Sequence, residues 1–316
     1  MFDHRLFHSP PSAGPHLNVG WLARTCVALV IFSGAPAPAF GDAATSILDP
    51  ARVGWTSVRF HASKYLVSGA ATITLENTDL ATLAEPLMQP GEGTPVEPDD
   101  QMLKLGFKID SSGNSSQGSL LMNTRSGAAV QLVQLKKDRY RISRFTDIGR
   151  YRHTHRPTDG EESLPHAEWT DQSDELRRFP AETAGATIAE PVALLYMIGA
   201  APLEKPGDQL ELFAVVRKQV FRVRVEVAGN PKEIKIDYKE HSSTGTARRK
   251  GKITPLRVLV RGQGLNPDDD EEFEFLGLRG DTEIYLQPET RVPLRLTGAM
   301  KVIGKVAFQL REVSLR

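Results

Sequence analysis

Cysteine is almost missing from this sequence: the 316 residues hold one, Cys26. It lies in an apolar run near the N-terminus, so the remainder of the chain has no disulfide, no thiolate nucleophile and no thiolate metal ligand. Excess charge of one sign is missing too. Lys plus Arg and Asp plus Glu number 39 each, which removes the electrostatic footprint of a non-specific nucleic-acid binder. No run is long enough to span a bilayer: Thr25–Ala35 falls short of the roughly 20 apolar residues required, and Pro36 and Pro38 stop it. There is no G-x-S-x-G elbow, no Walker A loop, no G-x-G-x-x-G after a strand and no H-E-x-x-H. No enzyme and no cofactor is therefore expected.

What the N-terminus does contain is an export pattern. Arg24 precedes the uncharged run, and Ala39-Phe40-Gly41 sets small residues at −3 and −1 relative to Asp42. Residues 1–41 are read as a secretory signal peptide cleaved before Asp42, which places residues 42–316 in the periplasm as a chain that is not integral to the membrane. Retention of the run as an anchor is the alternative. Because "HSPPSAGPHLN" is unlike a signal n-region, translation is expected to start near Val19. Cys26 sits inside the run and not at its end, which argues against lipoprotein attachment. Loss of the leader removes Arg5, Arg24 and Asp3 and leaves the charge near neutral.

From Arg52 onward the apolar residues recur with period two, the pattern of half-buried strands. Phe221, Val223, Val225 and Val227 alternate with Arg222, Arg224 and Glu226, and Met300–Val313 reads as one long amphipathic strand. Leu103–Ile109 and Ile234–Tyr238 alternate likewise. In "IYLQPETRVPLRL", Ile284–Leu296, Pro288-Glu289-Thr290 makes a turn after Gln287, and Pro293 predicts an edge strand or a frayed strand start. Ile188–Ile198 is apolar without alternation and predicts the one substantial helix, with Pro191 in its first turn and Gly199 near its C-cap. Thr78–Asp100 and Arg152–Ala186 read as long polar loops, Ser111–Ser119 as a flexible loop tip, and Arg248–Lys252 as a basic hairpin tip. The fold class is all-β and mainly antiparallel: a curved, half-open barrel with one helix and long loops. Residues 42–316 form a single domain, or two lobes with a seam near residue 185.

The second half also resembles a known family. The order "PVALLYMIGAAPLEKPGDQLELFAVVRKQVFRVRVEV", a basic hairpin, then "FEFLGLRGDTEIYLQPETRVPLRL" resembles the bacterial family called domain of unknown function 3108. The shared late pattern falls here on Ile284, Tyr285, Leu286, Glu289, Arg291, Pro293 and Arg295, with Tyr285 where tryptophan is usual and Gly304 in the following strand. The resemblance implies a secreted envelope protein with a half-open antiparallel barrel, similar in outline to periplasmic lipoprotein carriers. It carries over no catalytic residue.

Two sites follow from the residues. His153 and His155 are two apart and share a face if the segment is extended; His166 returns from a turn as a third nitrogen, and Asp159 or Glu161 completes a metal shell. The alternative is ordinary histidines in a polar loop. A curved sheet with one dry face needs cover that one short helix cannot give, so side chains from the two long loops, closure of the barrel or an apolar ligand must fill the concavity, and the ligand is the favoured reading. Phe213, Phe221, Val223, Tyr238, Val306 and Phe308 are its expected lining, with ordinary core as the alternative. The partner is then a lipid, an acyl chain or a hydrophobic peptide. The competing reading is an envelope structural or assembly protein with a filled core that works through protein partners.

Overall fold

Period-two alternation puts every second side chain on one face of an extended chain, and a face that is apolar must be buried. The computed structural model describes residues 48–64, 67–83, 86–111, 114–136, 138–230, 232–266, 270–301 and 303–316. All of them belong to one unit, Ala43–Arg316, with no division near residue 185. The signal peptide and start-site expectations lie outside the described residues.

The first half is a run of neighbouring strands: β1 (Trp55–Lys64), β2 (Val67–Thr78), β3 (Met102–Ser111), β4 (Asn114–Asn123), β5 (Ala129–Lys136), β6 (Arg139–Phe145), β7 (Gly149–Arg156) and β8 (Asp171–Arg178). Each pairs antiparallel with the next. A two-residue strand β9 (Ile188–Ala189) and a short helix follow. The helix starts as a 3-10 turn, Pro191–Ala193, and continues as α1 (Leu194–Ala200). The second half holds β10 (Gln209–Val216), β11 (Gln219–Val227), β12 (Ile234–Ser242), β13 (Gly245–Ile253), β14 (Leu256–Gly264), β15 (Glu274–Phe275), β16 (Leu278–Leu286), β17 (Pro293–Met300) and β18 (Gly304–Leu315).

All these strands belong to one large, mainly antiparallel sheet that is not closed. The seam between the halves is β18, which pairs with β1 from Trp55↔Leu315 to His61↔Gln309 and with β17 on its other edge. The β12–β13 hairpin continues that second edge, with Lys239–His241 running parallel to Glu312–Ser314. One apolar core joins the halves: Trp55, Phe60 and Leu105 pack in the same cluster as Phe221, Leu296 and the wholly buried α1. Tyr196 of α1 donates its hydroxyl to the Thr124 carbonyl at 2.9 Å, and burial pushes that phenol up to about 12.

Several boundaries differ from expectation. Ile188 and Ala189 pair with Phe213 and Ala214 as strand, so the helix runs from Pro191 to Ala200 and Gly199 lies inside it. The expected strand Met300–Val313 is split: Met300 ends β17, and Gly304, at φ +73, starts β18. Pro293 is a strand start as predicted, but β17 lies between β16 and β18 and is not an edge. Arg248–Lys252 belong to the body of β13, while the hairpin turns near Gly245. Arg152–Ala186 is not all loop. It contains the end of β7 and all of β8, whose polarity hid them because both edges of the pairing are charged: Arg152 faces Glu175, His153 faces Asp174 and Arg156 faces Asp171. Most of Ser111–Ser119 is strand as well, in β3 and β4. Among the described residues, no helix is long and apolar enough to cross a membrane.

Gly118 is required by close approach. A Cβ there would stand 2.1 Å from the Val133 carbonyl oxygen and 2.8 Å from the Phe107 ring. Gly118→Val is expected to lower stability by about 1–3 kcal/mol, read from the urea midpoint; an unchanged midpoint would show that this part of the sheet yields without cost.

Candidate functional site

On β6 and β7, Arg139, Arg141, Arg150, Arg152 and Arg156 alternate with other residues, and the pairing stacks them on one face, Arg144 lying on the other. Leu132 of β5 faces Ser143 of β6, which faces Arg152 of β7, which faces Glu175 of β8. One row over, Gln134 faces Arg141, and one row the other way, Arg150 faces Arg177. This wall closes against the β10–β11 turn, where Arg217 adopts φ +48, and against the chain at Glu190–Val192 that leads into the helix. Between them lies a cavity of about 450 Å³. Lys136, Arg141, Arg150, Arg152, Arg177, Arg217 and Lys218 all line it, against two lining carboxylates, Glu190 and Glu274.

Both carboxylates are already engaged. Arg150, 3% exposed, donates from Nη1 to Glu190 Oε1 at 2.8 Å and from Nη2 to the Arg217 carbonyl. Burial pushes the Glu190 carboxyl above its ordinary range, while Arg150 pulls the other way. Glu274 is held by Arg217 and by Arg279. On the same face of the sheet, Glu175 accepts from Arg177 at 2.7 Å and stands 3.7 Å from Arg152.

The cations remain in excess, and their ionisation registers it. Burial, followed by repulsion from Arg150, Arg141 and Arg177, brings Arg152 down to about 10. Lys136 and Arg141 are lowered for the same reasons. The buried Nε–H groups of Arg141, Arg150, Arg152 and Arg177 have no acceptor. An unpaired buried donor costs about 1–3 kcal/mol, and guanidinium forks match the oxygens of carboxylates and phosphates. The chemistry on offer is capture of an oxyanion. Nucleophilic chemistry has little to work with, because Ser143 is the one hydroxyl among the described lining residues.

The predicted metal ligands lie on the opposite face of the same strands. His153 and His155 do share a face, with ring centroids 4.4 Å apart. His166, however, stacks on Tyr140 at 5.4 Å and meets Trp169 edge-on at 4.8 Å. His153 Nδ1 is 2.7 Å from Asp174, and His155 is lowered by burial and by His153. Glu161 is spent on its own loop, accepting from the Thr158 and Thr170 amides and the Thr170 hydroxyl, which takes its carboxyl down to about 2. Among the described residues, no group of three His, Cys, Asp or Glu could hold a metal ion, which corrects the metal expectation. The three rings form an aromatic array with Tyr140 and Trp169.

The expected apolar lining is elsewhere again. Phe221, Val223, Tyr238, Val306 and Phe308 are buried in the core, and Phe213 packs on its margin with the Arg222 guanidinium 5.8 Å from its ring. None of the six lines the arginine cavity. Tyr238 borders a separate polar recess with Arg59, His61, Asp237 and Arg311. The family-like residues serve the architecture. Arg291, at φ +56, donates to the Leu203 carbonyl at 2.6 Å and ties the β16–β17 turn to the chain after α1. Pro293 pairs with Leu286, Tyr285 donates to Glu283 at 2.6 Å, and Arg295 lies 5.9 Å from the Tyr285 ring. Comparison with family models, curated proteins and solved structures finds no match.

The arginine site had a signal in the sequence. "RYRISRF" and "GRYRHTHR" carry Arg139 and Arg141, and Arg150, Arg152 and Arg156, two or four apart, so strand pairing alone would gather these on one face, with Arg144 on the other. Arg150→Met is expected to destabilise by about 3–5 kcal/mol, because it strands a buried carboxylate. Glu190 is then better neutral, so its raised pKa makes the variant lose stability as pH climbs above the ordinary glutamate range, since the unfolded chain gives up that proton first. Denaturant midpoints across pH check this; a variant equally stable at acid and neutral pH would contradict it.

Proposed function

We propose that this protein is an exported, non-enzymatic binding protein of the cell envelope that captures an oxyanion in the arginine-lined cavity. The observation that carries the reading is the set of seven lysine and arginine side chains that line one cavity against two carboxylates, both already engaged. The periplasmic location rests on the leader pattern of residues 1–41. The likeness to the domain of unknown function 3108 family supports the same setting. An uncharged apolar cargo held by Phe213, Phe221, Val223, Tyr238, Val306 and Phe308 has less support, since these side chains already fill one another's contacts in the core.

An assembly role has one observation in its favour. Strand β13 is exposed along nearly its whole length and pairs only with β12 among the described strands, which leaves a basic edge for another protein. Its charges, though, are largely paired within the hairpin, Arg248 with Asp237 and Arg249 with Glu240.

Calorimetric titration of residues 42–316 with inorganic phosphate, sulfate and acetate tests the oxyanion reading. Binding that weakens with added salt, and at least tenfold on Arg152→Gln, is expected. No binding of any of the three at millimolar concentration, or equal binding by the variant, would overturn it.

A further inference from the structure

The cavity wall changes character across the sheet. Along one row of paired residues, Leu132 of β5 faces Ser143 of β6, which faces Arg152 of β7, and all three line the cavity; Leu105 and Leu120, which extend the row on β3 and β4, belong to the core and do not. An apolar position is thus followed, at about 4.8 Å per strand, by a hydroxyl and then a guanidinium. The next row repeats the change. Phe107 faces Gly118, which faces Gln134, which faces Arg141. Phe107, Gln134 and Arg141 of this row line the cavity, and Gly118, which pairs between the first two, has no side chain.

The wall opposite also carries both apolar and charged side chains. Val192, Val215 and Leu276 line the cavity beside Glu190, which is neutralised by Arg150, and the remaining cations of that side are Arg217 and Lys218 at the turn. Arg150 is a built part of the polar end, nearly fully buried and with an Nε–H that finds no acceptor. A small inorganic oxyanion would meet the cations and leave the apolar side chains in contact with water. A neutral hydrocarbon would do the reverse. Only a molecule that is anionic at one end and apolar along its body uses both, and a volume of about 450 Å³ is within the range of sites for small organic ligands.

We propose that the ligand is a single-chain anionic amphiphile, its oxyanion head held by Arg141, Arg152 and Arg177 and its chain lying along Phe107, Ile109 and Leu132 toward β3. This inference rests on the oxyanion reading and adds the class of molecule. Burial of each methylene along the apolar wall raises affinity about fourfold, until the chain fills the cavity.

The test is a calorimetric series of ethyl, butyl, hexyl and octyl phosphate, below their aggregation concentrations, against residues 42–316. A stepwise gain of about fourfold per methylene is expected for the native chain. Ile109→Ser should flatten that gain, and Arg152→Gln should weaken every member by a similar factor. Affinity that does not change from ethyl to octyl phosphate would overturn the amphiphile while leaving the oxyanion site standing. Failure of all members, ethyl phosphate included, would overturn both. A gain with chain length that is identical in Ile109→Ser would place the chain outside this cavity and overturn the assignment.

Discussion

The buried pair of Arg150 and Glu190 is the constraint around which the site is built. It joins three parts of the chain that are far apart in sequence: β7, the start of the helix and, through the Arg217 carbonyl, the β10–β11 turn. Removing two charges from water costs several kcal/mol per ion, and the pair offsets that cost with short, directed hydrogen bonds. Its presence makes the rest of the cavity possible. Glu190 neutralises one arginine in a fixed place, and with Glu175 and Glu274 also engaged the cavity lining still holds more cations than carboxylates.

The strands were legible wherever one face is dry. Phe221–Val227, Leu103–Ile109 and Ile234–Tyr238 all lie in strands, because alternation of apolar and charged residues has one stable arrangement on a sheet. The strands β7 and β8 were not legible as such, since their stabilisation comes from charged residues that meet across the pairing, and a charge does not show its partner until the register is known. The helix boundary slipped for a different reason. Ile188 and Ala189 are apolar enough for either structure, and a two-residue parallel contact with Phe213 and Ala214 decides between them.

The candidate site was concealed by an average. Equal totals of 39 cations and 39 anions say nothing of where each sign gathers, and the arginines that meet here come from β6, β7, β8 and the β10–β11 turn. Attention in the sequence falls naturally on His153 and His155 because two histidines in a short segment suggest a metal. The same alternation that puts those rings on one face puts Arg150 and Arg152 on the other. One strand thus carries His153 and His155 on one face and two of the cavity's arginines on the other.

The position of β18 has a consequence for how the molecule forms. Thr56 in β1 donates to the Ser314 carbonyl, a contact that spans 258 residues, and the final residue's amide reaches the Gly54 carbonyl at 3.1 Å. The first strand therefore waits for the last before its outer edge is paired. Contacts of such separation demand that a very large loop be closed before they are rewarded, which slows folding. A chain emerging N-terminus first would display an open edge on β1 until β18 had been made.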